Sequence, residues 1–514
     1  MVNKSRGTYS FVAALLALAL VLSACGNGND NAAGTAGSAS TPAGSTQPAS
    51  SDGSVQELEP YEINWYYVDG PAPDLDLVLA EVNKYLTDKI NATLKITRID
   101  WGDVETKFPL VMASGEKIDL TFTSNWANDF RPNVAKKAFL ELNDLLEQYG
   151  QDIKKVLPQS FIDGATINGK LYALATNKEI AEQPAYLINN AFVEKYGFEL
   201  SAIKSYKDIE PMLKTMKENE PDSFGLSIGG LTTTMVPLSF DRILEGVPGS
   251  VDKNGDTTKI INEFETAEMQ DYFATMRNWY QTGYIRKDAA TVANPAEDAK
   301  TGKWFARTVS YTPYAELNFN RDWNLSLSAV PIQQPMITTG STNGAMLAIP
   351  RSSENPERVM MFLNLLYTDS KLYNMLAYGI EGTHYVKTDD NTVELAPGVD
   401  PSNRKYASST WEYGNMFLQH LFKGDPTDKW AKYEAFNQSA VPAPTLGFSF
   451  DPQPVMNEIT AVRNAWNQYI PALAVGSIDT DKYVQEAIDK MKRAGSDTII
   501  AEMQKQYDAW LASK

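Results

Sequence analysis

The chain has 514 residues, of which 43% are hydrophobic and 21% are charged, a composition typical of globular proteins. Acidic residues outnumber Lys and Arg by 64 to 46, and the resulting formal charge of −18 disfavours nucleic acid and other extended polyanions as partners. With a single cysteine, the chain can form neither an internal disulfide nor a cysteine-based zinc site.

The start of the chain has the features of a secretory signal. Lys4 and Arg6 precede an apolar run at residues 11–22, which is too short for a permanent membrane-spanning helix. The Leu-Ser-Ala-Cys motif that ends at Cys25 resembles the lipobox of bacterial lipoproteins, in which the cysteine becomes the lipidated first residue of the mature protein. We therefore expect a signal peptide over residues 1–24 and a lipid on Cys25. The alternative is an ordinary signal peptide that contains a cysteine.

Residues 25–56 are almost all small or polar and show no apolar periodicity. Such a segment cannot offset its own ordering entropy, so the sequence predicts a disordered tether with an end-to-end distance of roughly 30 Å. The rest of the chain exceeds the size of a single hydrophobic core, and we expect it to form two lobes. Membrane contact would be made through the lipid anchor alone.

The folded part opens with alternating strand and helix patterns. Ile63, Trp65 and Tyr67 alternate with other residues in a strand pattern, and apolar residues at helical spacing follow from Leu75 to Ile90. A strand at 93–99, a helix at 104–113 and a strand at 118–123 continue the series. This order predicts an α/β fold with a parallel sheet. Ligands bind beyond the carboxyl ends of such strands, which directs attention to the loops at 66–70 and 125–126.

Several later motifs, in this order, resemble the extracellular solute-binding proteins of ABC importers, and in particular the sugar-binding group that includes the maltodextrin-binding proteins. The motifs lie at residues 113–120, 138–146, 167–174, 189–198, 279–285 and 302–306. The resemblance implies a two-lobed periplasmic-binding-protein-like fold with a hinge and an interlobe ligand cleft. It also implies a carbohydrate ligand, permease subunits of an ABC importer as partners, a monomer and no cofactor.

The same resemblance predicts how the chain is divided. Residues 57–183 and 300–342 are expected to form the first lobe, and 184–299 and 343–514 the second. The motifs at 379–385 and 411–415 depart from the maltodextrin binders and resemble a lipoprotein subgroup with an extended helical C-terminus. The identity, linkage and length of the sugar stay open.

The aromatic composition favours carbohydrate binding, because 10 Trp and 25 Tyr outnumber 20 Phe. Rings with a polar edge cover the C–H faces of a pyranose, while carboxylates, amides and guanidinium groups bind its hydroxyls. A role in the hydrophobic core is the alternative for each ring. The candidate rings are Trp65, Tyr67, Trp126, Trp304, Tyr311, Tyr314 and Trp411, and the candidate polar residues are Asn125, Glu179, Arg242, Asn343 and Asn415.

Metal sites are not predicted. Asp252, Asn254, Asp256 and Glu263 are similar in spacing to a calcium-binding EF-hand loop, but the glycine stands at the fourth position of the pattern, not the sixth. We interpret residues 251–259 as a hairpin tip, which Asn-Gly favours. His384 and His420, the two histidines of the chain, are expected to have structural roles.

Two other functions remain open at this stage. A tethered glycoside hydrolase would also have an aromatic cleft, and paired carboxylates occur easily among 64 acidic residues. A tethered receptor for peptides or another solute would have the same fold. We expect no enzymatic activity.

Overall fold

The computed structural model describes residues 58–228, 239–291, 299–401 and 403–513. The predicted signal peptide, the lipidation site Cys25 and the tether lie outside these ranges. Within the ranges, we find no helix with both the length and the apolar character needed to cross a bilayer.

A five-stranded sheet forms the centre of the first lobe. Tyr61–Val68 pairs in parallel with both Ala92–Ile99 and Leu120–Thr123, as the alternation of strands and helices predicted. Two later segments extend the sheet antiparallel, Met346–Ala348 beside Leu120–Thr123 and Leu174–Ala175 beyond it. The connecting helix Leu75–Ile90 buries Val78, Val82 and Leu86, the apolar positions expected from its periodicity.

The second lobe is built on a four-stranded sheet. Its strand order is Leu327–Pro331, Gln183–Asn189, Trp304–Tyr311, Phe224–Ser227, and the two central strands pair antiparallel. Helices that pack in this lobe are Glu210–Asn219, Ala267–Thr282, Met456–Ala474, Thr480–Arg493 and Ser496–Ala512.

The predicted division of the chain is wrong in its later boundaries. Strand Trp304–Tyr311, expected in the first lobe, pairs with Gln183–Asn189 of the second. Conversely, helices Pro356–Thr368 and Ser370–Tyr378, expected in the second lobe, contribute to the core of the first. The two cores assign the described residues of 58–181 and about 337–446 to the first lobe, and those of 186–332 and 448–513 to the second. The apolar pattern of a segment indicates a buried strand, but only its hydrogen-bonded neighbours show to which sheet that strand belongs.

The chain therefore passes between the lobes at three places, which lie side by side. Glu182 and Met336 exchange backbone hydrogen bonds of 2.7 and 2.8 Å. Ala443 N–H donates to Ile337 O at 2.8 Å, and Met336–Ile337 pairs in parallel with Val441–Pro442. We call these paired crossings the hinge ribbon. A connection this narrow allows the lobes to rotate with few contacts broken.

Shorter elements complete the described fold. The remaining helices are Val104–Ala113, Phe130–Ala135, Asn143–Tyr149, Ile153–Val156, Gln159–Gly164, Asn190–Tyr196, Ala315–Trp323, Thr339–Thr342 and Lys429–Ser439. The remaining strands are Thr166–Ile167, Lys170–Leu171, Phe240–Arg242, Ser250–Asp252, Ile260–Ile261, Tyr385–Lys387, Thr392–Leu395 and Leu421–Phe422.

Candidate functional site

A cavity of about 840 Å³ lies between the two lobes. The first lobe contributes Asn125 and Arg131 to its wall, and the second lobe contributes Arg242 and Trp466. Asn343, beyond the second crossing, lines it as well. The volume falls within the about 300–1,000 Å³ range of small-ligand sites, and the mixture of amide, guanidinium and aromatic groups suits a polar ligand with apolar faces.

The first-lobe wall is held rigid by a short turn. Thr338 and Ser341 form a capping box in which each side chain accepts from the other's backbone N–H at 3.0 Å. Asn125 follows strand Leu120–Thr123 and is fixed to this turn by two bonds, N–H to Asn343 O at 3.0 Å and Nδ2 to Gly340 O at 3.2 Å. The amide edge of the cavity is therefore preformed.

Arg131 connects the lobes at the cavity wall. Its guanidinium donates to the backbone carbonyls of Phe450 and Phe448, the latter at 3.1 Å. Burial lowers the pKa of Arg131 to about 10, which still leaves it charged at neutral pH.

Arg242 on the opposite wall is held by the second lobe. Its Nε donates to Glu263 Oε1 at 3.1 Å, and its guanidinium lies 5.1 Å from the Trp466 ring centroid. Burial lowers the pKa of Arg242, but the Glu263 and Glu245 carboxylates outweigh that effect and raise it. The side chain is a fixed positive charge facing the cleft.

The residues with EF-hand-like spacing, Asp252 to Glu263, form a hairpin and its flank. Strands Ser250–Asp252 and Ile260–Ile261 pair antiparallel, so the predicted hairpin is confirmed. Asp252 Oδ1 accepts from Asn254 N–H at 2.9 Å, and Glu263 is turned away toward Arg242. Among the described residues, no group of three or more potential metal ligands converges.

Three tryptophans meet at the carboxyl edge of the first-lobe sheet. The ring centroids of Trp101, Trp126 and Trp411 are 6.0, 6.0 and 6.1 Å apart, and Trp101 and Trp126 are 46% and 40% exposed. Trp126 Nε1 donates to Gly344 O at 2.8 Å, which fixes the orientation of its ring. We call these residues the tryptophan cluster. Exposed, oriented indole rings offer stacking surfaces for the apolar face of a sugar.

Trp101 was missed in the sequence analysis. It begins the turn Trp101–Asp103 immediately after strand Ala92–Ile99. The rule that drew attention to Trp126, a ring just past the carboxyl end of a parallel strand, applies equally to Trp101.

The structure brings five of the predicted residues to cavities. Asn125, Arg242 and Asn343 line the interlobe cavity, and Trp126 directly follows Asn125. Trp411 joins the tryptophan cluster and also lines a second cavity, as does Glu179. His420, for which a structural role was expected, lines that second cavity too.

Four predicted residues are corrected, because they are buried away from these cavities. Trp65 and Tyr67 are 0% and 2% exposed and pack on each other at 4.9 Å in the first core. Trp304 is 1% exposed and donates to Ala299 O at 2.7 Å. Asn415 Oδ1 accepts from Phe417 N–H at 3.2 Å as a helical cap. Each has the residue type of a sugar ligand, but its side chain is buried within the protein.

Two predicted tyrosines are also engaged within the protein. Tyr311 packs edge-on against Phe436 with centroids 5.8 Å apart, and burial raises its pKa. Tyr314 donates its hydroxyl to Asp428 Oδ1 at 2.5 Å. His384, for which a structural role was also expected, is buried with its Nε2 3.2 Å from Asp74 Oδ2, and it lines the second cavity as His420 does.

A buried polar cluster lies directly behind Trp411. Glu412 is fully buried, and its Oε2 accepts from Val68 N–H at 3.2 Å. Burial, and then the nearby Asp69 carboxylate, raise the pKa of Glu412 to about 9. Arg98 Nη1 lies 3.3 Å from Asp69 Oδ2. Glu412 is therefore protonated at neutral pH and supports the turn that carries Trp411.

Two α/β lobes, a paired hinge and a cavity between them define a two-lobed solute-binding protein. A family model described as bacterial extracellular solute-binding protein matches residues 78–371. The chain belongs to that family. A second model, for a domain of unknown function called DUF3502, matches residues 444–512. This second match begins at the third crossing and covers the C-terminal helices of the second lobe.

Individual relatives agree with this assignment. The chain is 32% identical to the carbohydrate ABC transporter substrate-binding protein of Streptococcus pneumoniae serotype 4 (strain ATCC BAA-334 / TIGR4), over 98% of this chain and 99% of that one. The crystal structure of the N-glycan transport solute binding protein NgtS from Streptococcus pneumoniae superposes with a TM-score of 0.78, at 31% identity, covering 88% of this chain and 99% of NgtS.

Two NgtS complexes superpose less well. The complex with Man1GlcNAc gives a TM-score of 0.67 at 31% identity, covering 88% of this chain and 100% of that one. The complex with Man5GlcNAc gives 0.63 at 32% identity, covering 89% of this chain and 99% of that one.

Proposed function

We propose that this protein is a membrane-tethered extracytoplasmic receptor that binds an oligosaccharide in the interlobe cleft and delivers it intact to an ABC importer. The observation that carries the proposal is the tryptophan cluster, which exposes aromatic surface and whose Trp126 directly follows Asn125, a residue that lines the interlobe cavity. Stacking faces next to amide and guanidinium donors match the two kinds of surface that a pyranose presents.

The identity of the relatives supports a sugar as the ligand. The Streptococcus pneumoniae relative is named as a carbohydrate substrate-binding protein, and NgtS has been crystallised with Man1GlcNAc and Man5GlcNAc. These relatives are substrate-binding proteins, which favours a receptor over the alternative of a glycoside hydrolase. A peptide receptor would be expected to place a charged clamp for the chain termini in the cleft, whereas Arg242 is already paired with Glu263.

Lobe closure is the step that would signal the bound state. The three crossings form a narrow paired hinge, so one lobe can rotate on the other. The chain superposes on one NgtS structure with a TM-score of 0.78, and on the Man1GlcNAc and Man5GlcNAc complexes with lower TM-scores of 0.67 and 0.63. A ligand that contacts both walls stabilises the closed form, and the permease would recognise that form.

Anchoring is part of the proposal. The lipid on Cys25 would hold the receptor at the membrane, and the predicted tether at residues 25–56 would link that anchor to the folded part. In cells that express the full chain, Cys25→Ala is expected to move the protein from the membrane fraction to the medium. Retention of the variant in the membrane fraction would contradict the anchor.

Calorimetric titration with Man5GlcNAc, followed by mass spectrometry of the recovered glycan, tests receptor against enzyme. The proposal predicts saturable binding, a raised melting temperature and a glycan of unchanged mass. Shortened products would support the hydrolase, and stabilisation by a peptide pool but by no glycan would support a peptide receptor.

A further inference from the structure

The first lobe contains a second cavity, separate from the interlobe cavity. It has a volume of about 610 Å³, and its lining residues come only from 178–179 and 377–430. All of these segments belong to the first lobe, and none of the lining residues is shared with the interlobe cavity. Its shape therefore does not depend on whether the lobes are open or closed.

Trp411 connects this second cavity to the proposed sugar site. The Trp411 ring lines the second cavity and lies 6.1 Å, centroid to centroid, from Trp126. Trp126 in turn follows Asn125, which lines the interlobe cavity. The tryptophan cluster therefore includes one residue that lines the second cavity and another that directly follows a residue lining the interlobe cavity.

The lining of the second cavity suits a sugar. Trp430 contributes an aromatic ring whose orientation is fixed by a 2.6 Å bond from Nε1 to Gln419 O. Glu179 contributes a carboxylate whose Oε2 is buried and lacks a hydrogen-bond donor among the described residues, while its Oε1 lies 3.9 Å from Lys178 Nζ. A buried carboxylate oxygen without a donor is unfavourable, and a sugar hydroxyl would supply the missing donor.

We infer that the second cavity is a sugar subsite, formed by the first lobe alone, that binds the part of a larger oligosaccharide lying outside the interlobe cleft. Glu179 accepts a hydroxyl there, and Trp430 and Trp411 provide apolar surface. The inference rests on the proposed function and narrows its ligand class. The receptor selects oligosaccharides large enough to fill both cavities over a disaccharide that fills one. Because the subsite is preformed in one lobe, it can hold the glycan before the lobes close.

Calorimetric titrations of the wild type and Glu179→Gln with Man1GlcNAc and with Man5GlcNAc test the subsite. Gln keeps the shape of Glu179 but weakens the acceptor, since a hydrogen bond to a charged group is roughly twice as strong as a neutral one. The expected result is a roughly tenfold weaker affinity for Man5GlcNAc with an unchanged affinity for Man1GlcNAc. Glu116→Gln is the matched control, because Glu116 is exposed and lines neither cavity.

Each outcome separates the subsite from the proposed function. If the wild type and Glu179→Gln bind Man5GlcNAc with equal affinity, the subsite is overturned. It is also overturned if Glu179→Gln loses affinity equally for both glycans. In either case, glycan binding by the wild type would still support the receptor. Failure of the wild type to bind either glycan would overturn both. A second variant, Trp430→Phe, retains an aromatic ring and should also weaken Man5GlcNAc selectively, and melting curves without ligand show that each variant is folded.

Discussion

Replacing Trp101 by Ala removes the most exposed ring of the tryptophan cluster. A tryptophan can present up to about 250 Å² of surface, so an exposed fraction of 46% corresponds to about 115 Å². A sugar ring that covers half of this area removes about 60 Å² from water. At about 25 cal/mol per Å², the covered surface stabilises the complex by about 1.5 kcal/mol. Trp101→Ala is therefore expected to weaken oligosaccharide binding roughly tenfold.

Calorimetric titration of Man5GlcNAc into the wild type and Trp101→Ala measures this loss. Leu110→Ala is a suitable control, because Leu110 is 70% exposed on helix Val104–Ala113 and lines neither cavity. Melting curves without ligand show that each variant is folded. An affinity of Trp101→Ala equal to that of the wild type would refute the role of the tryptophan cluster, and an equal loss in Leu110→Ala would refute its specificity.

Three further predictions concern stability. Because the folded-state pKa of Glu412 is raised to about 9, folding takes up a proton and stability falls as pH rises from about 4.5 to 9. Glu412→Gln should therefore stabilise the protein at pH 8 by at least about 1 kcal/mol, and it should reduce the change in the free energy of unfolding with pH, both measured by urea denaturation. The same pH dependence in the variant and the wild type would contradict a protonated Glu412. In Gly164→Ala, the added Cβ would lie 1.8 Å from Thr342 Oγ1, so the free energy of unfolding is expected to fall by about 1–3 kcal/mol, measured in thermal melts. The control is Gly70→Ala, whose Cβ meets no atom within 4 Å and which should leave the stability unchanged. Arg131→Gln removes interlobe hydrogen bonds and should lower the free energy of unfolding by about 1–3 kcal/mol, measured by chemical denaturation. An unchanged free energy of unfolding would show that these bonds do not stabilise the fold.

The first sheet was the most predictable part of the fold. Period-two patterning at Tyr61–Val68 and helical periodicity at Leu75–Ile90 are local signals, and the βαβ connection has one preferred arrangement. The later lobe boundaries could not be obtained in this way, since they depend on which sheet accepts Trp304–Tyr311 and Met346–Ala348. That choice is set by long-range hydrogen bonds, which local sequence does not encode.

The candidate site was predictable by position but not by residue type alone. Asn125 and Trp126 follow the carboxyl end of a parallel strand, and the structure places Asn125 in the wall of the cleft and Trp126 in the tryptophan cluster. Trp65 lies inside such a strand and faces the core, although its chemistry is the same. Glu412 and the second cavity depend on segments far apart in the chain, Val68 with Glu412 and Glu179 with Trp430, so no local motif could have indicated them.

A crystal structure of the protein with Man5GlcNAc would test the central claim most directly. The account predicts sugar rings stacked on the tryptophan cluster and reaching Asn125, with the lobes rotated toward each other about the hinge ribbon. A glycan bound elsewhere, or lobes that keep their present arrangement around a fully occupied cleft, would contradict it.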